Sequence, residues 1–187
     1  MKLSASREAF LAPLQAVIGV VERRQTMPIL ANVLIVARGN QVSVTATDLE
    51  VEMVASADLT VDTDGEVTLP GRKLLDICKA LADGATVTLE VSGDKATLRS
   101  SRSRFTLATL PAADFPTVDA LAAEQSIELE QVAMKRLLDK SHFSMAHQDV
   151  RYYLNGLLFE IDGNHLRAVA TDGHRLATCR VSTASEG

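Results

Sequence analysis

The last third of this chain repeats part of its beginning. Residues 6–48 lie over residues 130–172 without a gap, an offset of 124 positions. Leu14 falls on Leu138, Leu30 on Leu154, Leu34 on Leu158, and Gly39-Asn40 on Gly163-Asn164. The match closes on Ala46-Thr47-Asp48 over Ala170-Thr171-Asp172, and apolar character is kept at Phe10/Met134 and Ile35/Phe159. Solenoid repeats recur every ~20 to 50 residues, so this offset marks a duplicated domain. After Asp172 the second copy has 15 residues left, far fewer than follow Asp48 in the first. The expectation is a whole domain at 1–118, a linker at 119–125 and the N-terminal half of a second domain at 126–187.

Composition narrows the function classes. With 47% hydrophobic residues but only 4% aromatics and no Trp, the core must be filled by Leu, Val, Ile and Ala. A net charge of −5 argues against a chain that coats nucleic acid over its whole surface, but leaves room for a local basic strip. Cys78 and Cys179 lie too far apart for a metal or redox motif and read as two thiols in a reducing compartment. No stretch approaches the ~18 consecutive apolar residues of a membrane span, and the charged start lacks a secretory h-region. A soluble, cytoplasmic chain is expected.

Periodicity predicts a strand at 2–5, then a helix capped by Ser6 with the apolar stripe Phe10, Leu11, Leu14, Val17, Ile18 and Val21. Pro13 inside that stripe predicts a kink or a shifted start. Strands at 32–38 and 41–47 flank Gly39-Asn40, a two-residue hairpin signal, and a third is expected near 51–61. The pattern recurs with a strand at 66–69, a helix at 71–81, and strands at 86–91, 95–100 and 103–110. Residues 111–125, with two prolines and several small residues, read as linker. The second copy opens with a strand at 126–129 and a helix at 130–143 burying Val132, Met134, Leu137 and Leu138. Strands follow near 156–161, 166–171 and 175–181. Helices beside antiparallel sheets make this α+β.

Both helices past the first carry basic residues away from their apolar stripes: Arg72 and Lys79 in one, Lys135, Arg136 and Lys140 in the other. In the repeat Arg24 falls on Gln148 and Arg23 on His147, all in loops just after a helix. Matching polar loops of this kind suit contacts to phosphate rather than to bases. Asp172 and His174 lie two apart, yet no nucleophile motif accompanies them and the first copy has Glu50 in place of the His. A strand-end turn held by Thr and Asp fits better than a catalytic dyad. His142, His147 and Asp149 have neither zinc-finger nor HExxH spacing, and no glycine-rich phosphate loop is present. No metal, cofactor or catalytic residue is expected.

Several long runs resemble the bacterial sliding-clamp family, the beta subunits of DNA polymerase III. They are residues 110–116 (Leu110 to Pro116), 143–156 (Phe143 to Gly156) and 171–176 (Thr171 to Leu176), joined by Pro28-Ile29-Leu30 and Thr47-Asp48-Leu49-Glu50. The resemblance covers essentially the whole chain. It implies three similar domains per full-length chain, helices inside and sheets outside, with two chains closing head to tail into a homodimeric ring around duplex DNA. The DNA-facing residues it implies are Arg24, Arg72, Gln148, Tyr152 and Tyr153. Ala12 stands where relatives carry a basic residue. A cleft for linear peptides would involve Arg151, Leu154, Thr171, Gly173, His174, Arg175 and Leu176. The ring interface would use the edge strand at 102–109, with Arg102, Arg104, Phe105 and Leu107, and the nearby Lys73. Alternation alone also allows Phe105 and Leu107 to be core.

The function implied is a non-enzymatic processivity factor that slides on duplex DNA without reading sequence. Implied partners are the replicative polymerase catalytic subunit, the clamp loader, and other clamp-binding polymerases and repair proteins. Lacking a third domain, this chain is expected to be unable to close the ring. Two rivals follow from the residues themselves: a metal-dependent nuclease or phosphotransferase using Asp48, Asp172 and His174, and a standalone peptide-binding module.

Overall fold

The computed structural model describes residues 1–21, 27–117 and 126–183. The chain divides into two compact units, residues 1–120 and 121–187. The expected linker at 119–125 lies outside the described residues.

In the first unit β1 (Lys2–Ser6) runs directly into α1 (Arg7–Val17). Ser6 accepts a hydrogen bond from the Ala9 N–H at 3.2 Å, satisfying one of the donors a helix start leaves free. Pro13 removes one intrahelical donor, yet the helix still begins at Arg7, and the proline ring is buried in the core. β2 (Asn32–Arg38) and β3 (Gln41–Thr47) form the expected hairpin, with Gly39 at φ 58°. That left-handed value is what a two-residue turn matching the strand twist requires.

The single strand expected near 51–61 is two strands in two sheets. β4 (Glu52–Asp58) lies beside β3, while β5 (Thr60–Thr63) crosses to pair with β1. Between them Leu59 is buried, and its N–H donates to the Asn40 carbonyl at 2.9 Å. β6 (Gly65–Pro70), α2 (Gly71–Ala80), β7 (Thr86–Ser92), β8 (Lys95–Ser100) and β9 (Ser103–Ala108) then repeat the strand-helix-three-strand order.

The two halves exchange their leading strands. β6 pairs with β2 to give the antiparallel order β4-β3-β2-β6, and β1 pairs with β7 in the order β5-β1-β7-β8-β9. Neither half therefore closes its core alone. α1 and α2 pack on each other and on the sheets, and Phe10, Leu14, Ile35, Leu74 and Leu89 share one core. Burial pushes the Cys78 thiol up to about 11, so it stays protonated.

Residues 111–117 are not all linker. A 3-10 turn at Ala112–Asp114 leads to Phe115, which is 5% exposed and packs on Ile29, Leu30 and Leu34. Leu34 alternates with the core residues Val33 and Ile35, so this small cluster sits on the opposite face of the four-stranded sheet.

In the second unit α3 (Gln131–Ser141) continues into a 3-10 turn at His142–Ser144. β10 (Leu158–Asp162), β11 (His165–Thr171) and β12 (Leu176–Ser182) form an antiparallel sheet in that order. Residues 126–129, expected as a strand, contribute no strand to it. The expected buried stripe of α3 is also corrected. Leu137 is buried with Ser141, but Val132, Met134 and Leu138 are exposed.

The repeat supplies the reason. Phe10 and Leu14 are 1% and 0% exposed, whereas Met134 and Leu138 at the matching positions are both 38% exposed. α1 has a second helix and two sheets around it, but α3 among the described residues packs chiefly on β11, β12 and the 3-10 turn. Amphipathicity marks which residues are apolar; a second layer must be present to bury them.

Candidate functional site

The same turn chemistry ends the second hairpin in both units. In the first, Thr47 Oγ1 accepts from Leu49 N at 3.0 Å, and Asp48 Oδ1 accepts from Glu50 N and Val51 N at 2.9 and 2.7 Å. In the second, Thr171 Oγ1 accepts from Gly173 N at 3.1 Å, and Asp172 Oδ1 accepts from His174 N and Arg175 N, both at 2.9 Å. Two features belong to the second copy alone. Arg175 Nε donates to Asp172 Oδ2 at 3.0 Å, and Thr171 Oγ1 donates to the Arg175 carbonyl at 2.7 Å. Asp172 therefore serves the turn and bonds the backbone of His174, which is not the geometry of an acid-base dyad.

A second loop is fastened beside this turn. Asp149 N donates to Asn155 Oδ1 and Asn155 Nδ2 donates to the Asp149 carbonyl, each at 3.0 Å, closing residues 149–155 into a ring. Arg151 grips the Asp149 carboxylate with Nε at 3.0 Å and Nη2 at 2.8 Å, and its Nη2 also reaches the Asp172 carbonyl at 3.5 Å. A Cβ on Gly173 would stand 3.3 Å from Arg151 Nη1. Arg151, Thr171, Asp172, Gly173 and Arg175 are thus brought together, and Leu154 anchors the loop by donating to the Arg151 carbonyl at 2.8 Å. His174 and Leu176 project into solvent, and Leu176 is 64% exposed. Asp149 and Asn155 organise the site, and sequence reading did not single them out for it.

The carboxylates in this cluster are strongly acidic. Backbone N–H donors from Arg175 and His174, then the Arg175 side chain, hold Asp172 at about 2. The Arg151 side chain and backbone hold Asp149 at about 2 as well. A depressed carboxylate stabilises the fold above its unfolded value of about 4, and that contribution is lost as pH falls toward the folded value. The turn is therefore expected to persist at pH 3. His174 and Arg175 amide shifts followed by NMR should titrate with a midpoint near 2; a midpoint near 4 would contradict the bonding described.

On the second unit's loop, Gln148 adopts a left-handed φ of 56° and is exposed. Tyr152 and Tyr153 follow in a 3-10 turn, both exposed, with rings edge to face at 6.1 Å. Arg24 and Arg23 lie outside the described residues. Arg72, expected on the open face of its helix, is half-buried instead: a guanidinium nitrogen donates to the Val21 carbonyl near the end of α1. Lys79 and Arg136 are exposed, and Lys135 pairs with Asp139 at 2.6 Å.

Among the described residues the edge strand β9 pairs only with β8. Arg102, Arg104 and Lys73 are exposed, but Leu107 belongs to the main core and Phe105 packs half-buried against it. Both side chains thus lie on the core side of their own sheet. Among the described residues, no three His, Cys, Asp or Glu side chains gather as metal ligands, and no helix is long and apolar enough to cross a membrane.

Comparison with known proteins agrees over both units. The DNA polymerase III beta subunit N-terminal domain matches residues 1–119, and the central domain of that subunit matches residues 128–187. The beta sliding clamp of Pseudomonas putida is 53% identical over 187 residues, all of this chain and 51% of that protein. That of Escherichia coli K12 is 52% identical over 180 residues, 96% of this chain and 49% of that protein. A crystal structure of the DNA polymerase III subunit beta from Pseudomonas aeruginosa superposes with a TM-score of 0.96 at 49% identity, covering 100% of this chain and 51% of its own. A DNA polymerase sliding clamp from Caulobacter crescentus gives 0.94 at 42% identity, covering 100% and 52%. The chain spans about half the length of the curated relatives it matches. With a duplicated α+β unit, the shared Thr-Asp turns and this agreement from end to end, the chain belongs to the family of DNA polymerase III beta subunits, the beta sliding clamps.

Proposed function

We propose that this chain supplies the first domain and part of the central domain of a non-catalytic processivity factor for DNA replication. In the full-length homodimeric ring, sequence-independent contacts to duplex DNA come from Arg24, Gln148, Tyr152 and Tyr153. Arg72, which donates to the Val21 carbonyl in the segment after α1, belongs to the same set. Polar and cationic side chains that meet phosphate without reading base edges leave the ring free to slide. The whole first domain spans residues 1–118, and the ring interface lies along β9, with Lys73, Arg102 and Arg104 outside and Phe105 and Leu107 supporting the strand from within. Replication places the protein in the cytoplasm.

The observation that carries this reading is the organised pair of loops at 149–155 and 171–176. Their acids are all engaged by backbone or arginine donors, while Leu154, His174 and Leu176 remain available to a ligand. Such a site binds rather than reacts. Linear peptides from the polymerase catalytic subunit, the clamp loader, other polymerases and repair proteins are its partners. Exposed apolar anchors beside fixed polar groups suit them.

The test is an NMR titration of this chain with a peptide from a relative's polymerase that binds that relative's clamp. Shifts are expected at His174, Arg175 and Leu176, with affinity falling about tenfold or more for Leu176→Lys. Shifts that survive the substitution would remove this turn from the binding site.

A further inference from the structure

We propose that residues 110–116 are an autoinhibitory strap: they lie as an intramolecular ligand in a peptide-binding groove of the first unit and keep it closed to peptides of other proteins. The groove crosses the face of the four-stranded sheet turned away from the main core, between Thr68 on β6 and the 3-10 turn at Pro28–Ala31.

Its floor has two chemically different ends. Alternation along β2 puts Asn32, Leu34 and Val36 on this face, and the register sets Thr68 opposite Leu34. At one end Ile29, Leu30 and Leu34 form an apolar cluster. At the other Thr68 is 0% exposed, and its hydroxyl accepts from Asn32 Nδ2 at 3.0 Å.

The strap is held as a short peptide is held, by backbone at one end and by one ring at the other. Thr68 Oγ1 donates to the Leu110 carbonyl at 2.8 Å and accepts from the Leu110 N–H at 3.2 Å. With the Asn32 bond, these use the single donor and both acceptor sites of the hydroxyl. Backbone is what Thr68 captures, since the Leu110 side chain is exposed. Pro111 has no N–H to satisfy. A 3-10 turn at Ala112–Asp114 then carries the chain to Phe115, which packs on Ile29, Leu30 and Leu34. Ala113 and Asp114, between the two anchors, face solvent. Anchors separated by exposed residues are the pattern of a docked linear motif.

Lifting the strap does not require unfolding the unit. Phe115 and its three partners form a cluster separate from the core that α1, α2 and both sheets share. A segment with one buried side chain and an exposed surface opens locally, ahead of global unfolding. Opened, the groove presents apolar side chains beside an unpaired hydroxyl. It therefore selects a peptide with a free backbone amide and carbonyl, followed by an aromatic residue. A proline after the aromatic, as Pro116 follows Phe115, favours the extended backbone found at φ −77° and ψ 122°. Closed, the strap competes at the high effective concentration of a short tether, which keeps weaker free peptides out. In the repeat Leu30 holds the place of Leu154, assigned above to a peptide site. To that extent the proposal rests on that reading, and it adds that the chain silences its own first groove.

Two measurements test the strap. In hydrogen exchange of this chain, the Leu110 and Phe115 amides should exchange about tenfold or more faster than those of Ile35 and Val44 in the sheet below. In a titration followed by amide and methyl shifts, a synthetic peptide of residues 108–117 at about 1 mM should leave Ile29, Leu30 and Leu34 of the wild-type chain unmoved. In Phe115→Ala, whose strap has lost its ring, the same peptide should shift all three, with affinity higher by about tenfold or more. Thr68→Val in that background should weaken binding about tenfold, and a peptide carrying Phe115→Ala should not bind. Phe115→Leu keeps an apolar anchor, gives an intermediate affinity, and serves if the alanine variant does not fold. Strap amides that exchange together with the sheet, a variant that binds no better than wild type, or an alanine peptide that binds equally well would each overturn the strap. Shifts confined to His174, Arg175 and Leu176 would also overturn it while leaving the second unit's peptide site standing, and the reverse pattern would do the opposite.

Discussion

Truncating Phe10 to alanine is expected to destabilise the first unit by about 3–5 kcal/mol, the range for emptying a fully enclosed aromatic site. Truncating Met134, its partner in the repeat, should cost about 1 kcal/mol or less, because much of that side chain is already in water. The two residues hold the same position on equivalent helices, so helix propensity and local sequence do not account for the contrast. Packing does. Phe10 is 1% exposed in the core that α1 shares with α2 and both sheets, and its removal leaves a cavity that a close-packed surround cannot fill. Met134 has no second helix over it among the described residues. Hydrogen exchange resolved by residue reads each unit separately: Phe10→Ala should lower protection along β2 and β7, and Met134→Ala should barely change β11. Equal losses in the two units would show that the face of α3 carrying Met134 is packed after all.

What the sequence disclosed, and what it withheld, divides along local and tertiary lines. The Gly39-Asn40 hairpin, the Ser6 cap and the Thr-Asp turns were legible because each is settled within a few residues by backbone chemistry. The break at Leu59 was not. Alternation runs smoothly through it, and only the existence of a second sheet beside β1 tells the chain to cross over. The stripe of α3 failed for the same reason: Val132, Met134 and Leu138 are apolar, but burial depends on a covering layer. Phe115 was hidden by its neighbours, since prolines and alanines read as linker whether or not the segment docks. At the site, Arg151 and Leu154 stood out only through family resemblance, as did a binding role for the turn at 171–176. The Asp149–Asn155 clasp that holds Arg151 in place pairs residues six apart in irregular backbone, where no periodicity signals a contact.

That clasp also bears on the choice between binding and catalysis. A catalytic carboxylate needs a free lone pair aimed at a substrate or metal and a protonation state matched to the operating pH. Asp172 has its oxygens taken by two backbone donors and Arg175, and Asp149 is taken by Arg151. Both are driven well below the pH at which a general base is useful. The duplicated aspartate is a structural part kept in both copies, and the residues after it, Leu49-Glu50 in one and Gly173-His174 in the other, are where the copies part.

Replacing Gly173 by valine is the substitution expected to harm the proposed peptide site most, at about 2 kcal/mol for the second unit. Gly173 has φ 88°, in the left-handed region that is strained for side chains and a true outlier for a β-branched one. The new Cβ would also stand 3.3 Å from Arg151 Nη1, so the guanidinium beside the Asp172 carbonyl has to shift slightly. The first unit tests the argument from the other direction, because the matching residue, Leu49, already has φ 78° and an exposed side chain. Leu49→Gly removes that strain, offset by glycine's greater loss of backbone freedom, about 0.5–1 kcal/mol. It should be neutral to slightly stabilising. Thermal unfolding and exchange protection of both variants measure the asymmetry, and the same peptide titration shows whether Gly173→Val weakens binding at Leu176. If the valine variant kept wild-type protection and unchanged His174 and Arg175 shifts, the left-handed turn would not be what sets the second copy apart. The divergence would then have to be sought in His174 and Arg175 themselves.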